Sequence, residues 1–421
     1  MARIVVKFGG TSVANVERIR RAARHVKREV DAGNQVAVVV SAMSGKTNEL
    51  VGWVNDSSPL HDAREYDTVV ASGEQVTAGL MAIVLSEMGI PSRSFSGWQV
   101  PIKTDDAHGA ARITEIDPTE LNKRMGDGWV PVITGFQGVA PSGRITTLGR
   151  GGSDTSAVAV AAAVKADRCD IYTDVDGVYT TDPRITPRAR RLSKISFEEM
   201  LEMASLGAKV LMIRSVELAM AHKVRLLVRS TFDDPDAPQL APDGTPGVPG
   251  TLVCDEDEIM EKQIVSGVTL ARGEAKITLR DVKDKPGVAA AVFGALADES
   301  IVVDMIVQNV SDDGSLTDIT FTVPDSEYDK AVHTIEAARA NVEFGKISSS
   351  KGGAKISVIG VGMRSHAGVA ASMFKALADK GINIQLITTS EIKTSVLIDD
   401  EYAELAVRAL HTYYGLDKED A

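Results

Sequence analysis

The sequence has little cysteine, few aromatic residues and no excess of basic charge. Only Cys169 and Cys254 occur among 421 residues, so neither a disulfide framework nor a four-thiolate zinc site can form. Acidic residues outnumber basic ones, 58 to 46, and aromatic residues make up 5%, so the chain lacks the positive field and stacking platforms of nucleic-acid-binding proteins. Nucleic acids and anionic membranes are therefore poor candidates as partners.

Long hydrophobic runs and targeting signals are also missing. No apolar run reaches the roughly 18 to 20 residues needed to cross a bilayer. The N-terminal residues carry Lys7 inside a short apolar run and have no small-residue cleavage site, unlike a signal peptide. We therefore expect a cytoplasmic protein. Its hydrophobic content of 44% suffices for a buried core, which excludes fibrous and disordered classes.

The first half alternates short apolar runs with helical patterns. Arg3 to Phe8 and Gln35 to Ser41 are short and β-branched, which is typical of buried strands. Between them, apolar residues recur every three or four positions from Val16 to Val30, which predicts an amphipathic helix. Ser196 and Glu199 form a capping box that predicts another helix start. This alternation predicts an α/β fold, a largely parallel sheet with helices on both faces. Further elements are expected at 130–136, 153–165, 170–173 and 224–228.

The second half contains an internal repeat. Residues 233–250 are crowded with Pro, Gly and Asp, which predicts the end of the first domain near residue 250. Beyond them, Ala295 to Asp298 recurs as Ala376 to Asp379, at a period of about 80 residues. Each copy reads as strand, turn, helix, strand, strand. We therefore predict three domains, 1–250, 263–342 and 343–421, of which the last two are βαββ units.

A glycine-rich motif, Lys7 to Ser12, follows the first predicted strand. Paired glycines let a backbone approach a ligand closely, and free N–H groups at a helix start favour an anion such as phosphate. Lys7 would add a positive charge. A tight turn with Ser12 as N-cap is the alternative. Ser41 and Thr47 follow the second strand and are candidates for polar contacts with a ligand, or they belong to a plain loop. A P-loop at this place is excluded, because Val40 occupies the position where that motif requires a glycine.

A second glycine-rich turn, Gly149 to Thr155, opens an alanine-rich helix. Arg150 offers a planar, bidentate grip on a carboxylate. Asp154 could orient an ammonium group or a metal-bound nucleotide; its alternative role is a helix cap beside Ser153. Two glycine-rich helix starts in one sheet are hard to explain as turns alone.

A polar loop, Asp174 to Arg184, follows a later strand. Tyr179 could contact a base or ribose and Arg184 could lie near phosphates, although ordinary turn chemistry also favours Asp-Gly and Asp-Pro. Glu74 lies at a helix start and Lys209 follows a helix end, where such charges are common. The local pattern alone does not single out either residue.

Five blocks of sequence together resemble the aspartokinases, in the order found in that family. They are KFGGTS at 7–12, SAM at 41–43, SGE at 72–74, TLGRGGSDTSA at 147–157 and TDVDGVYTTDPR at 173–184. The resemblance covers essentially the whole chain. It implies an amino acid kinase fold followed by two ferredoxin-like ACT domains, the βαββ units above.

The resemblance implies transfer of the γ-phosphoryl group of ATP to the side-chain carboxylate of L-aspartate. Mg²⁺ would be bound to the nucleotide, without a dedicated protein metal cage. The implied catalytic residues are Lys7, Arg150 and Asp154. The implied nucleotide residues are Lys7, Phe8, Gly9, Gly10, Ser41, Thr173, Asp174, Tyr179, Arg184 and Lys209. The implied aspartate residues are Thr47, Glu74, Arg150 and Ser153.

The ACT resemblance implies lysine, threonine or both as feedback effectors of lysine, threonine and methionine biosynthesis. Because a βαββ unit has exposed strand edges and an uncovered sheet face, we expect the copies to pair with each other or across a homo-oligomer. A short ACT-only subunit from an internal start at Met260 is a further possibility. For 284–287, a β-turn containing Pro286 is the alternative. The implied effector residues are Asp284, Lys285, Gly287, Gln308, Asn309, Ser365, Asn383 and Ile384.

Two alternatives to an aspartate kinase stay open at this point. One is a kinase of another acidic amino acid, such as glutamate. The other is a non-catalytic amino-acid sensor with a degenerate kinase domain. Intact Lys7, Arg150 and Asp154 argue against degeneracy.

Overall fold

A computed structural model describes residues 1–207, 210–238, 247, 249–259, 264–311 and 314–418. The chain divides into two units that interleave along the sequence. The first unit comprises Met1–Val178, Arg191–Ala204 and Lys209–Met260. The second comprises Tyr179–Arg190, Ser205–Ala208 and Glu261–Ala421. The predicted contiguous domains, 1–250, 263–342 and 343–421, stay predictions.

The first unit alternates strands and helices as the sequence predicts, and the expected elements are present with ends within two residues of the predicted ones. Its strands are β1 (Arg3–Phe8), β2 (Gln35–Val40), β3 (Ser92–Phe95), β4 (Ile102–Thr104), β5 (Ile113–Ile116), β6 (Val130–Thr134), β7 (Gln137–Val139), β8 (Ile145–Thr147), β9 (Arg168–Thr173), β10 (Lys194–Ser196), β11 (Leu226–Ser230) and β12 (Thr251–Cys254). Its helices are α1 (Val16–Asp31), α2 (Lys46–Ser57), α3 (Ala63–Val70), α4 (Ser72–Glu87), α5 (Thr119–Gly126), α6 (Gly152–Ala163), α7 (Phe197–Ser205) and α8 (Ile213–His222).

Eight strands form the main sheet, in the order β10-β12-β11-β9-β1-β2-β6-β3. The central strand β1 pairs in parallel with both β2 and β9, so the chain builds the sheet outward on both sides of β1. Only the β11–β12 pair is antiparallel. The carboxyl ends of β1, β2, β6, β9 and β11 therefore lie at one edge, where open α/β sheets bind ligands. The predicted largely parallel α/β fold is confirmed.

The start of α1 differs from one alternative reading of the sequence. Helix α1 buries Ile19 and Val26 as its apolar spacing predicts, but Val16 is 47% exposed. Ser12 does not cap this helix, because a short 3₁₀ helix, Gly10–Val13, intervenes. Asn15 is the N-cap, and its side chain accepts a hydrogen bond from the Arg18 N–H at 2.8 Å.

The predicted capping box before α7 is present, since the Glu199 carboxylate accepts the N–H of Ser196 and the Ser196 hydroxyl accepts that of Glu199.

A small four-stranded sheet, in the order β5-β4-β7-β8, accompanies the main one and was not predicted. Its strands have only three or four residues, too few for a periodic pattern. Strand β8 ends at Thr147, where the second glycine-rich motif begins. The small sheet therefore supports the loop that carries Arg150.

Helices α3 and α4 form one continuous apolar segment, Ala63–Glu87, contrary to the expectation that no apolar run is long enough to cross a bilayer. By length and composition alone this segment is long enough, and among the described residues it is the one helix that is. Half of its most apolar window is buried inside the structure, as in the core helix of a globular domain. Met81 and Leu85 belong to the same buried core as β1 and β2.

The second unit contains both repeats in one six-stranded sheet of order β14-β15-β13-β16-β18-β17. The strands are β13 (Gly267–Lys283), β14 (Asp304–Val310), β15 (Leu316–Pro324), β16 (Lys346–Ile359), β17 (Leu386–Thr389) and β18 (Lys393–Asp399). The helices are α9 (Val288–Asp298), α10 (Tyr328–Ala337), α11 (Arg339–Val342), α12 (Val369–Ala378) and α13 (Ala403–Tyr413). Each predicted βαββ unit is present and is followed by a helix that the repeat pattern did not predict.

Two hydrophobic cores lie on this sheet, and the long strand β13 contributes to both. Ala275, Ile277 and Leu279 pack in the first core, with α9 and α10. Val268, near the start of the same strand, packs in the second core with α12 and α13. The first strand of the first repeat therefore also completes the sheet of the second.

Candidate active site

Lys7 and Asp154 form the buried charged centre of the first unit. Lys7 lies in the central strand β1, and Asp154 lies in the first turn of α6, where the helix dipole favours a carboxylate. The Lys7 Nζ is 2.5 Å from the Asp154 Oδ1, and the two side chains are 10% and 11% exposed. The structure thus joins the two glycine-rich motifs through one ion pair.

Gly9 and Gly10 leave a bare stretch of backbone beside Lys7. A Cβ atom at Gly9 would lie 3.3 Å from the Lys7 Nζ, and one at Gly10 would lie 3.0 Å from the Ala42 carbonyl oxygen. A larger side chain would therefore fill the space next to the ammonium group. The combination of open backbone and a lysine fits the phosphates of a nucleotide.

Backbone hydrogen bonds hold the loops after β1, β2 and β6 together at the carboxyl edge of the sheet. The Ser41 N–H donates to the Phe8 carbonyl at 3.1 Å, and the Gly135 N–H donates to the Val40 carbonyl at 3.0 Å. Ser153 lies against Gly135, since a Cβ atom there would be 2.9 Å from the Ser153 Oγ. Ser41 and Ser153 therefore both lie at the carboxyl edge of the main sheet.

Glu74 lies in the first turn of α4 with its carboxylate buried. One oxygen, Oε1, accepts the Ala42 N–H at 3.0 Å, whereas Oε2 is buried and has no hydrogen-bond partner in the described part of the chain. Burial raises the pKa of this carboxyl to about 7, an effect that the Ala42 hydrogen bond only partly offsets. A buried acceptor without a donor suits an incoming ammonium group.

Arg150 and Thr47 are more exposed parts of the same edge. Arg150 lies between Gly149 and Gly151, both of which have positive φ angles, of 74° and 71°. It is exposed, and no hydrogen bond or ion pair joins it to any residue that the structure describes. Thr47 is half-buried in the first turn of α2. The roles of both residues toward aspartate stay predictions.

The expected nucleotide residues divide between the two units. Thr173 ends β9 in the first unit, and its hydroxyl donates to the Asp174 carboxylate at 3.1 Å. Tyr179 and Arg184 lie in Tyr179–Arg190, which belongs to the second unit. Arg184 forms a 2.7 Å ion pair with Asp182, and its side chain is 90% exposed. Lys209 lies outside the described residues, so these nucleotide roles stay predictions.

Four of the five expected effector residues of the first repeat line one cavity. Asp284, Lys285, Gly287 and Gln308, with their neighbours, line a space of about 410 Å³ at the start of α9. The Lys285 Nζ lies 2.5 Å from the Glu343 carboxylate. Hydrogen bonds from Lys283 and Lys285 lower the pKa of Glu343 to about 2.

The remaining expected effector residues are less closely grouped. Asn309 is adjacent to the cavity in β14, where its carbonyl accepts the Thr317 hydroxyl. In the second repeat, Ser365 donates to the Gly362 carbonyl at 3.3 Å, Asn383 is exposed, and Ile384 packs against the second core. Their effector roles stay predictions.

Sequence reasoning missed a buried acidic residue, Asp67 of α3, that connects to this site. Its carboxylate accepts hydrogen bonds from His108, Gly109 and Thr147, residues about 40 or 80 positions further along the chain. An isolated Asp between Tyr66 and Thr68 carries no local signal for these contacts. Only its position on the buried side of an amphipathic helix could have drawn attention to it.

Comparison with known proteins assigns the class of this chain. A model of the amino acid kinase family matches residues 2–230, and a model of the ACT domain matches residues 280–338 and 356–414. The first match spans more than half of the chain, which therefore belongs to the amino acid kinase family and carries ACT domains.

Similar proteins assign the particular member. An aspartokinase of Pseudomonas aeruginosa is 53% identical over 419 residues, which cover 99% of this chain and 98% of that protein. An aspartokinase of Corynebacterium glutamicum is 44% identical over 425 residues, covering 100% and 98%. The chain is thus an enzyme, a phosphotransferase of the aspartokinase type, as the five sequence blocks suggest.

Solved structures agree with this assignment. E. coli aspartokinase III in complex with aspartate and ADP, in the R-state, matches with a TM-score of 0.76 and 28% identity, covering 97% of this chain and 99% of that one. The same enzyme in complex with lysine and aspartate, in the T-state, matches with a TM-score of 0.75 and 28% identity, covering 98% and 99%.

Proposed function

We propose that this aspartokinase transfers the γ-phosphoryl group of ATP to the side-chain carboxylate of L-aspartate and releases 4-phospho-L-aspartate. The observation that carries the proposal is the buried Lys7–Asp154 pair beside the bare backbone of Gly9 and Gly10. The complex of E. coli aspartokinase III with aspartate and ADP supports the same substrates. Mg²⁺, bound to the nucleotide phosphates, would supply further positive charge to them.

In the proposed mechanism, the protein positions two anions and stabilises the charge that moves between them. Phosphoryl transfer demands little covalent chemistry from the protein, so placement and electrostatics dominate. Lys7 and the glycine backbone at Gly9 and Gly10 would face the transferring phosphoryl group, because the absence of side chains there lets it approach closely. Asp154 would hold the Lys7 ammonium at this edge of the sheet through their 2.5 Å ion pair.

Aspartate would be held by its non-reacting groups. The unpartnered Glu74 Oε2 would accept the substrate ammonium. Arg150 would bind the α-carboxylate in a bidentate manner, which leaves the side-chain carboxylate free to attack. Thr47 and Ser153 would add hydroxyl contacts at the same edge. This arrangement gives the ammonium group and the α-carboxylate of aspartate one complementary partner each.

The direct experiment measures acyl phosphate trapped as the hydroxamate, with aspartate or glutamate as acceptor. We expect ATP-dependent hydroxamate with aspartate and little with glutamate, which has one more methylene. Product with glutamate alone would favour a kinase of that acid. Nucleotide binding without turnover on either acid would favour a sensor. The Lys7→Ala variant is the matched control for contaminating activity.

We also propose that lysine, threonine or both inhibit the enzyme by binding at the ACT units, with homo-oligomers formed through those units. The Asp284–Gln308 cavity supports this, because Asp284 and Gln308 line it and their carboxylate and amide suit a zwitterionic ligand. The lysine complex of E. coli aspartokinase III in its T-state supports lysine as one effector. The reaction would be cytoplasmic and would begin the synthesis of lysine, threonine and methionine.

The domain assignment stays part of this proposal. Residues 1–250 would be catalytic, and 263–342 and 343–421 would be regulatory. The internal start at Met260 lies outside the described residues, and a short ACT-only subunit would be detected as a second, smaller product of the gene.

A further inference from the structure

Asp67 is a fully buried carboxylate that accepts hydrogen bonds from two separate segments, the loop between β4 and β5 and the end of strand β8. Its Oδ1 accepts the Thr147 hydroxyl at 2.5 Å and the Gly109 N–H at 3.0 Å, and its Oδ2 accepts the His108 ring at 2.7 Å. Because both carboxylate oxygens are acceptors, the His108 Nδ1 must carry the proton in this contact. The Asp67 side chain is 0% exposed, so these donors stand in for water.

The two segments that meet at Asp67 are also hydrogen-bonded to each other. The Ala111 N–H donates to the Thr147 carbonyl at 2.9 Å. The Arg214 guanidinium, from α8, donates to the Leu148 carbonyl and to the Ala111 carbonyl, each at 2.8 Å. Gly149 follows so closely that a Cβ atom there would lie 3.3 Å from the Gly109 carbonyl oxygen.

The hydrogen bonds that fix this loop stop immediately before Arg150. Residues 147 to 149 are held by Asp67, Arg214 and the neighbouring loop, whereas the Arg150 side chain is exposed and unpartnered within the described residues. After it, Gly151 packs on Met212, since a Cβ atom there would lie 2.2 Å from the Met212 Cγ. The backbone on both sides of Arg150 is thus held by contacts, while its own side chain has no partner among the described residues.

We propose that Asp67 is a positioning residue for aspartate, which acts by fixing the backbone from which Arg150 reaches the substrate carboxylate. This inference rests on the proposed role of Arg150. Buried charged residues can often be replaced by apolar residues without loss of stability. The hydrogen bonds that Asp67 accepts from three donors in two segments are therefore better explained by a role in orienting the backbone before Arg150 than by a role in stability. Bidentate recognition is sensitive to the placement of the arginine, which makes the effect measurable as KM for aspartate.

The test compares Asp67→Asn with Asp62→Asn, the same chemical change at the exposed N-cap of the same helix. Asparagine caps helices as well as aspartate, so Asp62→Asn should leave the kinetics unchanged. For Asp67→Asn we expect the aspartate KM to rise about tenfold, with kcat and the ATP KM within about twofold. Thr147→Val should raise the aspartate KM in the same way, and Thr147→Ser, which keeps the hydroxyl, should restore it.

The outcomes separate this inference from the proposed function. If Arg150→Ala raises the aspartate KM but Asp67→Asn and Thr147→Val do not, the positioning role is wrong and the Arg150 role stands. If Arg150→Ala has no effect on KM, both are wrong. If Asp67→Asn lowers kcat and raises both KM values together with a lower Tm, Asp67 is merely structural. Should Asp67→Asn fail to fold, an unchanged aspartate KM in Thr147→Val overturns the inference by itself.

Discussion

The Lys7 Nζ lies 2.5 Å from the Asp154 Oδ1, so the central strand and the helix of the second glycine-rich motif meet in a buried ion pair. Removing two charges from water is costly, and such a pair is weak evidence for stability. Its place at the carboxyl edge, beside the glycine backbone of Gly9 and Gly10, fits the proposed role in phosphoryl transfer instead. In the proposed function, a nucleotide phosphate at this edge would meet the Lys7 ammonium beside Asp154.

The first prediction is that Lys7→Ala lowers kcat by about a hundredfold or more while the aspartate KM changes little. The lysine charge should matter most when negative charge redistributes on the transferring phosphoryl group, and interactions specific to the transition state affect kcat. Steady-state kinetics measure this, with Lys46→Ala as control because Lys46 pairs on the surface with Glu49. A normal kcat in Lys7→Ala would contradict the assignment.

The second prediction is that Arg150→Ala raises the aspartate KM by about a hundredfold and leaves kcat within a few-fold. A bidentate clamp acts on the ground state and the transition state alike, so its loss weakens binding. Arg144→Ala is a suitable control, because Arg144 pairs with Glu65 on the surface of the same unit. Identical kinetic defects in Lys7→Ala and Arg150→Ala would show that the two residues do not have separate roles.

The third prediction concerns pH and follows from the pKa of about 7 at Glu74. The carboxyl must be ionised to receive the substrate ammonium, and below pH 7 it is increasingly protonated. The aspartate KM should therefore rise as pH falls from 8 to 6, approaching about tenfold per pH unit below the pKa. Glu74→Gln should raise KM at pH 8 and remove this dependence. A flat KM profile in the unmodified enzyme would exclude the role.

The fourth prediction is that ionised Glu74 lowers the stability of the substrate-free enzyme, although the same ionised carboxylate favours substrate binding. Its pKa is raised from 4.5 to about 7 on folding, so its favourable contribution is full below pH 4.5 and is lost as pH rises through 7. At pH 8 the ionised carboxylate therefore destabilises the folded state, by at most about 3 kcal/mol. Glu74→Gln should raise the Tm at pH 8 and change it little at pH 4.5. Thermal unfolding at the two pH values measures this, and an equal shift at both would contradict it.

The glycine motifs and the sheet could be predicted from sequence because their signals are local. Short β-branched runs, glycine pairs and helix starts each occupy a few consecutive residues, and the parallel arrangement places their ends at one edge. Local signals therefore predict Lys7 and Asp154, whereas Glu74 is predicted only through the family resemblance.

The parts that could not be predicted depend on distant residues or on very short elements. Asp67 binds residues far along the chain, and its neighbours in sequence give no hint of them. The sequence position of Ser12 is typical of a helix cap, but its hydroxyl lies 2.5 Å from that of Thr231, immediately after β11. The long strand β13 contributes residues to two hydrophobic cores. The internal repeat cannot predict this, because its pattern describes each βαββ copy separately.

The last prediction is that Asp284→Asn and Gln308→Ala relieve feedback inhibition without changing the uninhibited kcat. Both residues line the cavity of about 410 Å³ at the start of α9, where Asp284 can accept an effector ammonium and Gln308 can contact its carboxylate or side chain. An effector inhibits only if it binds one state better than another, and a coupling free energy of about 1 to 3 kcal/mol is typical. Losing a charge-assisted hydrogen bond removes a comparable amount of binding energy.

Inhibition curves with lysine and threonine, added singly and together, measure the effect. We expect the concentration for half inhibition to rise about tenfold or more in both variants. Asp298→Asn is the matched control, because Asp298 is an exposed carboxylate at the opposite end of the same helix. Its inhibition should be unchanged, since it does not line the cavity. If Asp284→Asn and Gln308→Ala lose activity but keep normal inhibition, the effector binds elsewhere, and the second repeat, with Ser365 and Asn383, becomes the next place to test.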